Sequence, residues 1–145
     1  MAGRTEKRSV ALTPERYREV LTAARVIAVV GFSDDPSRTS HQIGRFLQRA
    51  GYTVYPVNPM VERIGEMKSY ASLADVPEPI DIVDVFRRSE FLPGVVEDAI
   101  AAGAKLVWAQ LGVYSAEAAR RAAQAGLPLI MDNCIKVTHY ATMGG

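Results

Sequence analysis

Apolar residues along this chain follow two alternating rhythms, short unbroken runs and stripes at helical spacing. Tyr17, Val20, Leu21 and Ala24 form the first stripe, behind Thr13 and Pro14. A threonine cap followed by a proline at the first helical position marks a helix start. "RVIAVVGF" (25–32) is continuous and of strand length, as expected for a strand buried on both faces. Ile43, Phe46, Leu47 and Ala50 mark the buried side of a second helix that Gly51 ends. "YTVYPVN" (52–58) reads as a second strand. The stretch 59–79 is irregular and predicts a loop with one helical turn from Ser72. "IDIVDVF" (80–86) is a third strand, 90–102 a helix closed by Gly103, and "KLVWAQL" (105–111) a fourth strand. Ser115 caps an alanine-rich helix that ends at Gly126, "LPLIMD" (127–132) is the fifth strand, and the tail 133–143 forms a short helix.

Strand and helix thus alternate about every 25 residues, the pattern of βαβ units and a parallel sheet with helices on both faces. The expected fold is α/β, a doubly wound five-stranded parallel sheet in three layers. Residues 1–12 read as an N-terminal arm and 13–145 as one domain. A chain of 145 residues fits that reading and can bury roughly two-thirds of its unfolded surface. Net charge is +1, which favours neither nucleic acid nor a membrane surface as a partner. No apolar run reaches membrane-spanning length, and the polar N-terminus has no signal-peptide core. The one cysteine, Cys134, excludes an internal disulfide and a zinc cluster. A cytoplasmic protein is expected.

Ligands of such sheets sit at the carboxyl ends of the strands. At the first end, Gly31 allows a tight turn and close ligand approach, Phe32 follows it, and Ser33 offers a hydroxyl. Arg38, Thr39 and Ser40 open the next helix, whose free N–H groups and dipole suit a phosphate. The same residues also fit a plain turn and capped helix. The Gly-x-Gly of a dinucleotide turn is missing. At the second end Asn58 stands between Pro56 and Pro59, where an NAD-binding chain places an acid for the ribose. A rigid strand exit explains these residues equally well. Phe86, Arg87 and Arg88 leave the third strand, as an anion-binding pair or a solvated pair near Glu90 and Asp84. Gln110 and Gly112 follow the fourth, after a Trp108 expected in the core. Asp132, Asn133 and Cys134 follow the fifth.

Taken together, "IAVVGFSDDPSRTS", "YTVYPVNP", "IDIVDVFRR", "AKLVWAQLGV" and "MDNCIKVTH" resemble the small stand-alone CoA-binding proteins. These are similar to the CoA-binding domain of succinyl-CoA synthetase α-subunits and of ADP-forming acyl-CoA synthetases. The resemblance covers about residues 13–139. It implies a Rossmann-like fold with coenzyme A as cofactor, held across the strand ends. By position, Gly31, Ser33 and Arg38 look like the phosphate turn, Asn58 and Pro59 like the adenosine side, and Phe86, Arg87 and Arg88 like the neighbouring edge. Gln110, Gly112 and Asn133 would close the site. On this reading a serine suits the second-glycine position, because its hydroxyl adds a bond to phosphate. The family pattern has arginine where this chain has Asn133, which implies weaker phosphate binding or use of Arg87 or Arg88.

The larger synthetases transfer phosphate through a histidine on a second domain, and this chain is expected to lack one. His41 reads as a helix-face or capping residue and His139 as structural or solvated. Asp84, on a buried strand, is expected to pair with a cation or cap a loop. No nucleophile–base order or metal-ligand spacing stands out. The expected function is therefore non-catalytic binding of CoA or acyl-CoA. The alternatives are an accessory subunit of an acyl-CoA synthetase and an NAD-type enzyme or sensor. A synthetase or a second copy of the chain are the candidate protein partners. Cys134 reads first as a small buried hydrophobe, and otherwise as a thiol able to form a mixed disulfide with CoA.

Overall fold

The computed structural model of the chain describes residues 12–144, so the expected arm lies outside the described residues except for Leu12. In chain order the elements are α1 (Pro14–Ala23), β1 (Val26–Val30), α2 (Thr39–Arg49), β2 (Thr53–Val57), β3 (Arg63–Ile64) and β4 (Met67–Lys68). They continue with β5 (Ile82–Val85), α3 (Leu92–Ala101), β6 (Val107–Ala109), α4 (Ala116–Ala125), β7 (Leu129–Ile130) and α5 (Ile135–Met143). Caps fall where the sequence puts them. Thr13 accepts from the Arg16 N–H at 3.2 Å, Ser115 accepts from that of Ala118 at 3.1 Å, and Gly126 ends α4 in the left-handed region.

Five strands form one parallel sheet in the order β2-β1-β5-β6-β7. All five β1 residues are buried, because β1 has strands on both edges and helices on both faces. β2 is an edge strand. That position tolerates Pro56, which cannot donate to a ladder. Alternate strand residues face opposite ways, and this sorts the core into two clusters. Ile27, Val29, Ile82, Trp108 and Ile130 pack with Leu21 of α1, Ile43 and Leu47 of α2, and Ile135 of α5. Ala28, Val30, Val83, Val85 and Val107 pack with Leu92, Val96 and Ala99 of α3 and Ala118 and Ala122 of α4. Each large side chain so buried contributes about 1.5–3 kcal/mol relative to exposure. The Rossmann-like three-layer expectation holds.

Two expectations are corrected. The strands are shorter than the apolar runs at most ends, because several terminal apolar residues face the core from turns; Phe32 is fully buried just beyond β1. The irregular stretch 59–79 contains the antiparallel hairpin β3–β4, whose two-residue strands leave too little alternation to read. Its expected helical turn is present as a 3-10 turn, Leu73–Asp75.

β1 leads into α2 on one face, and its neighbour β5 leads into α3 on the other. The chain directions part there, so a crevice opens at the carboxyl ends of β1 and β5. On the α2 side the crevice floor depends on Gly44. A side chain there would overlap the edge of the fully buried Phe32 ring. Gly44→Ala is expected to destabilise the fold by about 1–3 kcal/mol, the cost of overpacking, measured as a lowered midpoint in urea with unchanged slope. Stability equal to the parent would mean that Phe32 has room to move.

Candidate functional site

Gly31 starts the site. Its φ is +87°, and a Cβ would run into the Phe86 carbonyl oxygen, so the exit of β1 lies directly on the exit of β5. The Gly31 N–H donates to the Val57 carbonyl at 2.9 Å and the Phe86 N–H to that of Val30 at 2.9 Å, which draws three strand ends together. Asn58 extends this tie. Its Nδ2 donates to the Phe32 carbonyl at 2.9 Å and its Oδ1 accepts from the Met60 N–H at 2.9 Å.

Beyond Gly31 the chain wraps into α2. The Ser40 hydroxyl accepts from the Ser33 N–H at 3.0 Å, His41 Nδ1 lies 2.8 Å from the Ser33 carbonyl, and Asp35 accepts from the Ser37 N–H at 3.0 Å. The Asp35 carboxyl is held below its usual range, first by the hydrogen bond from the Ser37 backbone. Ser33 Oγ accepts from the Asp35 N–H at 3.0 Å, and a hydroxyl that accepts still has its own hydrogen to donate. Arg38 is the N-cap residue of α2 and makes no side-chain capping bond. The first turn of α2 therefore keeps backbone donors for an external acceptor. Arg38 and Thr39 are exposed, whereas Ser40 is buried within the turn.

On the α3 side of Gly31 lies a groove of about 480 Å³. Gly31, Asn58, Pro59, Phe86 and Arg87 line it, as do Met60, Ser72, Leu73, Val95 and Asp98. Arg87 and Arg88 both sit over the Phe91 ring, 4.3 and 5.4 Å from its centre, and Arg88 also faces Glu90 at 3.8 Å. Stacking on a ring holds a guanidinium without using up its N–H donors. A second groove, of about 500 Å³, lies at the opposite end of the sheet beside Leu12, Val20, Leu106 and Leu127. There the Asp81 carboxylate is already paired with Lys105 at 3.3 Å and accepts from the Arg25 and Val26 N–H groups.

The sequence-predicted residues thus divide. Gly31, Asn58, Pro59, Phe86 and Arg87 share the groove, and Ser33, Arg38 and Thr39 form the adjoining turn. Phe32 and Ser40 lie beneath it. Gln110 is buried and donates to Asp84, and its Oε1 accepts from the Ile135 N–H at 3.4 Å. Asn133 is half-buried; its Oδ1 accepts from Thr138 at 2.6 Å and its Nδ2 faces Tyr17 Oη at 3.3 Å. Gly112 is exposed at the exit of β6. Ser72, Leu73, Val95 and Asp98 were not expected in the lining. Only the helical turn expected from Ser72 hinted at them, because their placement depends on how 59–81 crosses the sheet.

Asp84 neither pairs with a cation nor caps a loop, contrary to expectation. It sits mid-sheet, fully buried, with Oδ1 on Gln110 and Oδ2 without a partner among the described residues. Burial pushes its carboxyl up to about 8. Trp108 is in the core as expected and donates to the Asn133 carbonyl at 3.0 Å. His41 pins the turn. His139 is buried against Phe46 and Tyr52, and desolvation lowers its pKa. Cys134 is the half-buried N-cap residue of α5, packed against the apolar core. No group of residues able to hold a metal ion occurs among the described residues, nor does a helix long and apolar enough to cross a membrane.

Comparison with known proteins places relatives beside this geometry. A family model described as a CoA binding domain matches residues 25–140. The Bacillus subtilis protein YneT is 46% identical over 125 residues, covering 86% of this chain and 93% of its own. A structure from Pyrococcus horikoshii superposes with a TM-score of 0.90 at 40% identity, covering 92% of this chain and 94% of that one. The alpha subunit of acetate–CoA ligase (ADP-forming) II from Pyrococcus furiosus is 27% identical over 124 residues. That match takes in 78% of this chain but only 27% of the ligase subunit.

The buried carboxyl beneath the site predicts a pH dependence. Unfolded, Asp84 loses its proton near the ordinary value of about 3.9, whereas folded it keeps the proton up to about 8. The folded state binds more protons in between. The stabilisation is therefore fully present below the unfolded pKa and is lost as pH rises to about 8. Asp84→Asn keeps an acceptor for Gln110 and removes the titration. Between pH 5 and pH 9 the parent is expected to lose at least about 1.4 kcal/mol relative to this variant, the equivalent of one pKa unit. Parallel pH profiles in urea melts would show that Asp84 is ionised in the fold.

Proposed function

The chain belongs to the CoA binding domain family, and from that premise we propose that it binds coenzyme A or an acyl-CoA at the carboxyl ends of β1, β2 and β5. The observation that carries this reading is the Gly31 turn. There a serine hydroxyl, the first turn of α2 without a side-chain cap and the exposed Arg38 converge beside a groove that Arg87 lines. A helix N-terminus with a bidentate cation suits a pyrophosphate. In this reading Ser33, Arg38 and the α2 N–H groups take the phosphates. Asn58 and Pro59 wall the adenosine side, and Arg87 and Arg88 meet the remaining anionic group.

The exit of β2 argues against NAD. An NAD site wants a carboxylate there for the ribose hydroxyls, and Asn58 spends both ends of its amide on Phe32 and Met60. We assign the protein a binding role and name no catalytic group. The ligase relative supports a second reading, an accessory unit working with a synthetase; the chain spans only 27% of that ligase subunit. Capture of a synthetase subunit on the tagged chain from its own cells, dependent on CoA, would favour that reading.

Titration calorimetry with CoA, acetyl-CoA, NAD and ATP at one salt concentration tests the ligand. CoA is expected to bind more tightly than NAD, and NAD binding as tight or tighter would overturn the assignment. Arg38→Ala is expected to weaken CoA by about 1.5–3 kcal/mol, the range for a hydrogen bond to a charged group. It should leave pantetheine, which has no phosphate, nearly unchanged. Equal losses for both ligands would make Arg38 part of the scaffold.

A further inference from the structure

We infer that Asp132 is a positioning residue: with Ser89, it clamps Gly112 at its N–H and its C=O and so fixes the exit loop of β6 at the edge where CoA is proposed to bind. Asp132 is the one non-glycine residue with positive φ among the described residues, at +56°. Aspartate tolerates this region better than most residues, but the conformation persists only where surrounding bonds impose it. Those bonds are present. The Asp132 N–H donates to the Val113 carbonyl at 3.1 Å, and Asp132 Oδ1 accepts from the Gly112 N–H at 2.7 Å. The next residue, Asn133, donates its N–H to the Ala109 carbonyl at 3.2 Å. The left-handed turn thus aims both backbone and carboxylate at one loop.

The opposite side of that loop is held from β5. The Ser89 hydroxyl donates to the Gly112 carbonyl at 3.1 Å and accepts from the Tyr114 N–H at 3.0 Å. Gly112 is therefore gripped at its N–H by the exit of β7 and at its C=O by the exit of β5. Within the loop the Val113 N–H closes on the Gln110 carbonyl at 2.9 Å, and Gly112 has φ +79°. That is a tight turn with its glycine at the position requiring positive φ.

Core packing does not account for this much restraint. Leu111 is 67% exposed and Gly112 is exposed, so the loop tip buries almost nothing. What the clamp does fix is the spacing between the β6 exit and the segment carrying Arg88, which precedes Ser89. The β5–β6 ladder ends at Val85 and Ala109, with the Gln110 N–H on the Val85 carbonyl at 3.3 Å, and leaves residues 111–114 to the clamp. A loop held rigid at a ligand edge spares the ligand the entropy of ordering it.

This inference rests on the CoA reading, so its test has one readout that needs no ligand. Asp132→Gly relieves the φ restraint and removes the carboxylate, whereas Asp132→Asn keeps an acceptor and tolerates the backbone. Amide hydrogen exchange should be slow at Gly112 and Tyr114 in the parent and in Asp132→Asn. It should be at least about tenfold faster in Asp132→Gly and in Ser89→Ala. In CoA titrations Asp132→Asn should stay within about twofold of the parent. Asp132→Gly, which loses one hydrogen bond to the loop, should weaken CoA about fivefold, and Ser89→Ala, which loses two, at least as much, with melting temperatures within a few degrees of the parent. The double variant should lose less than the product of the two, because both hold the same residue, Gly112. Unchanged exchange in Asp132→Gly overturns the clamp. Asp132→Asn losing as much CoA affinity as Asp132→Gly, or CoA affinity that is the same in all variants, overturns the role of the clamp in positioning the ligand edge. A parent that binds no CoA overturns the proposed function and with it the ligand role of the clamp. The exchange rates then still decide whether the clamp exists.

Discussion

At Gly31 the exit of β1 presses on the Phe86 carbonyl with no space for a side chain, at a backbone angle few other residues adopt. Much else follows from that contact. It closes the seam between the two strands whose following helices go to opposite faces. It turns Phe32 down into the core under Gly44, and it leaves the Phe32 carbonyl where Asn58 can hold it. The following turn then sends Ser33 and Arg38 upward at the head of α2, while the groove opens on the α3 side. The site is a consequence of how a parallel sheet reverses its winding direction, which is why its donors come from several strand ends rather than from one motif.

Polar groups at this edge fall into two kinds. Those that are buried or half-buried are spent: Ser40 on the Ser33 N–H, Asn58 on Phe32 and Met60, Gln110 on Asp84, Asn133 on Thr138. Those at the surface are cations and hydroxyls held in place by local turns or by stacking on Phe91. A buried layer that fixes the backbone and an exposed layer that keeps donors available is the arrangement expected of a preorganised anion site. Asp84 is the exception in the buried layer, a carboxyl kept neutral by its surroundings with one oxygen unsatisfied among the described residues.

Much of this was legible in the chain. Long apolar runs and helical stripes located the five strands of the parallel sheet and the five α-helices of the described residues, because strands buried on both faces are almost continuously apolar. Thr13, Ser115 and Gly126 announced their caps through side-chain chemistry that acts locally. Less local features were hidden. The hairpin at 63–68 has strands too short to show alternation. Gln110 and Asn133 follow strands, and nothing at those strand ends announces their bonds to Asp84 and Thr138. Asp84 itself looked like an ion-pair residue, since nothing in "IDIVDVF" says which way its side chain faces. The groove wall from Ser72 to Asp98 depends on the path of an irregular connection, which periodicity does not encode.

Amide chemical-shift mapping with CoA tests the location of the site most directly. Perturbations are expected at Gly31, Ser33, Thr39, Asn58 and Arg87, with the residues around Leu106 and Leu127 at the other end of the sheet unmoved. Shifts confined to that opposite groove, or no shifts at saturating CoA, would contradict the account.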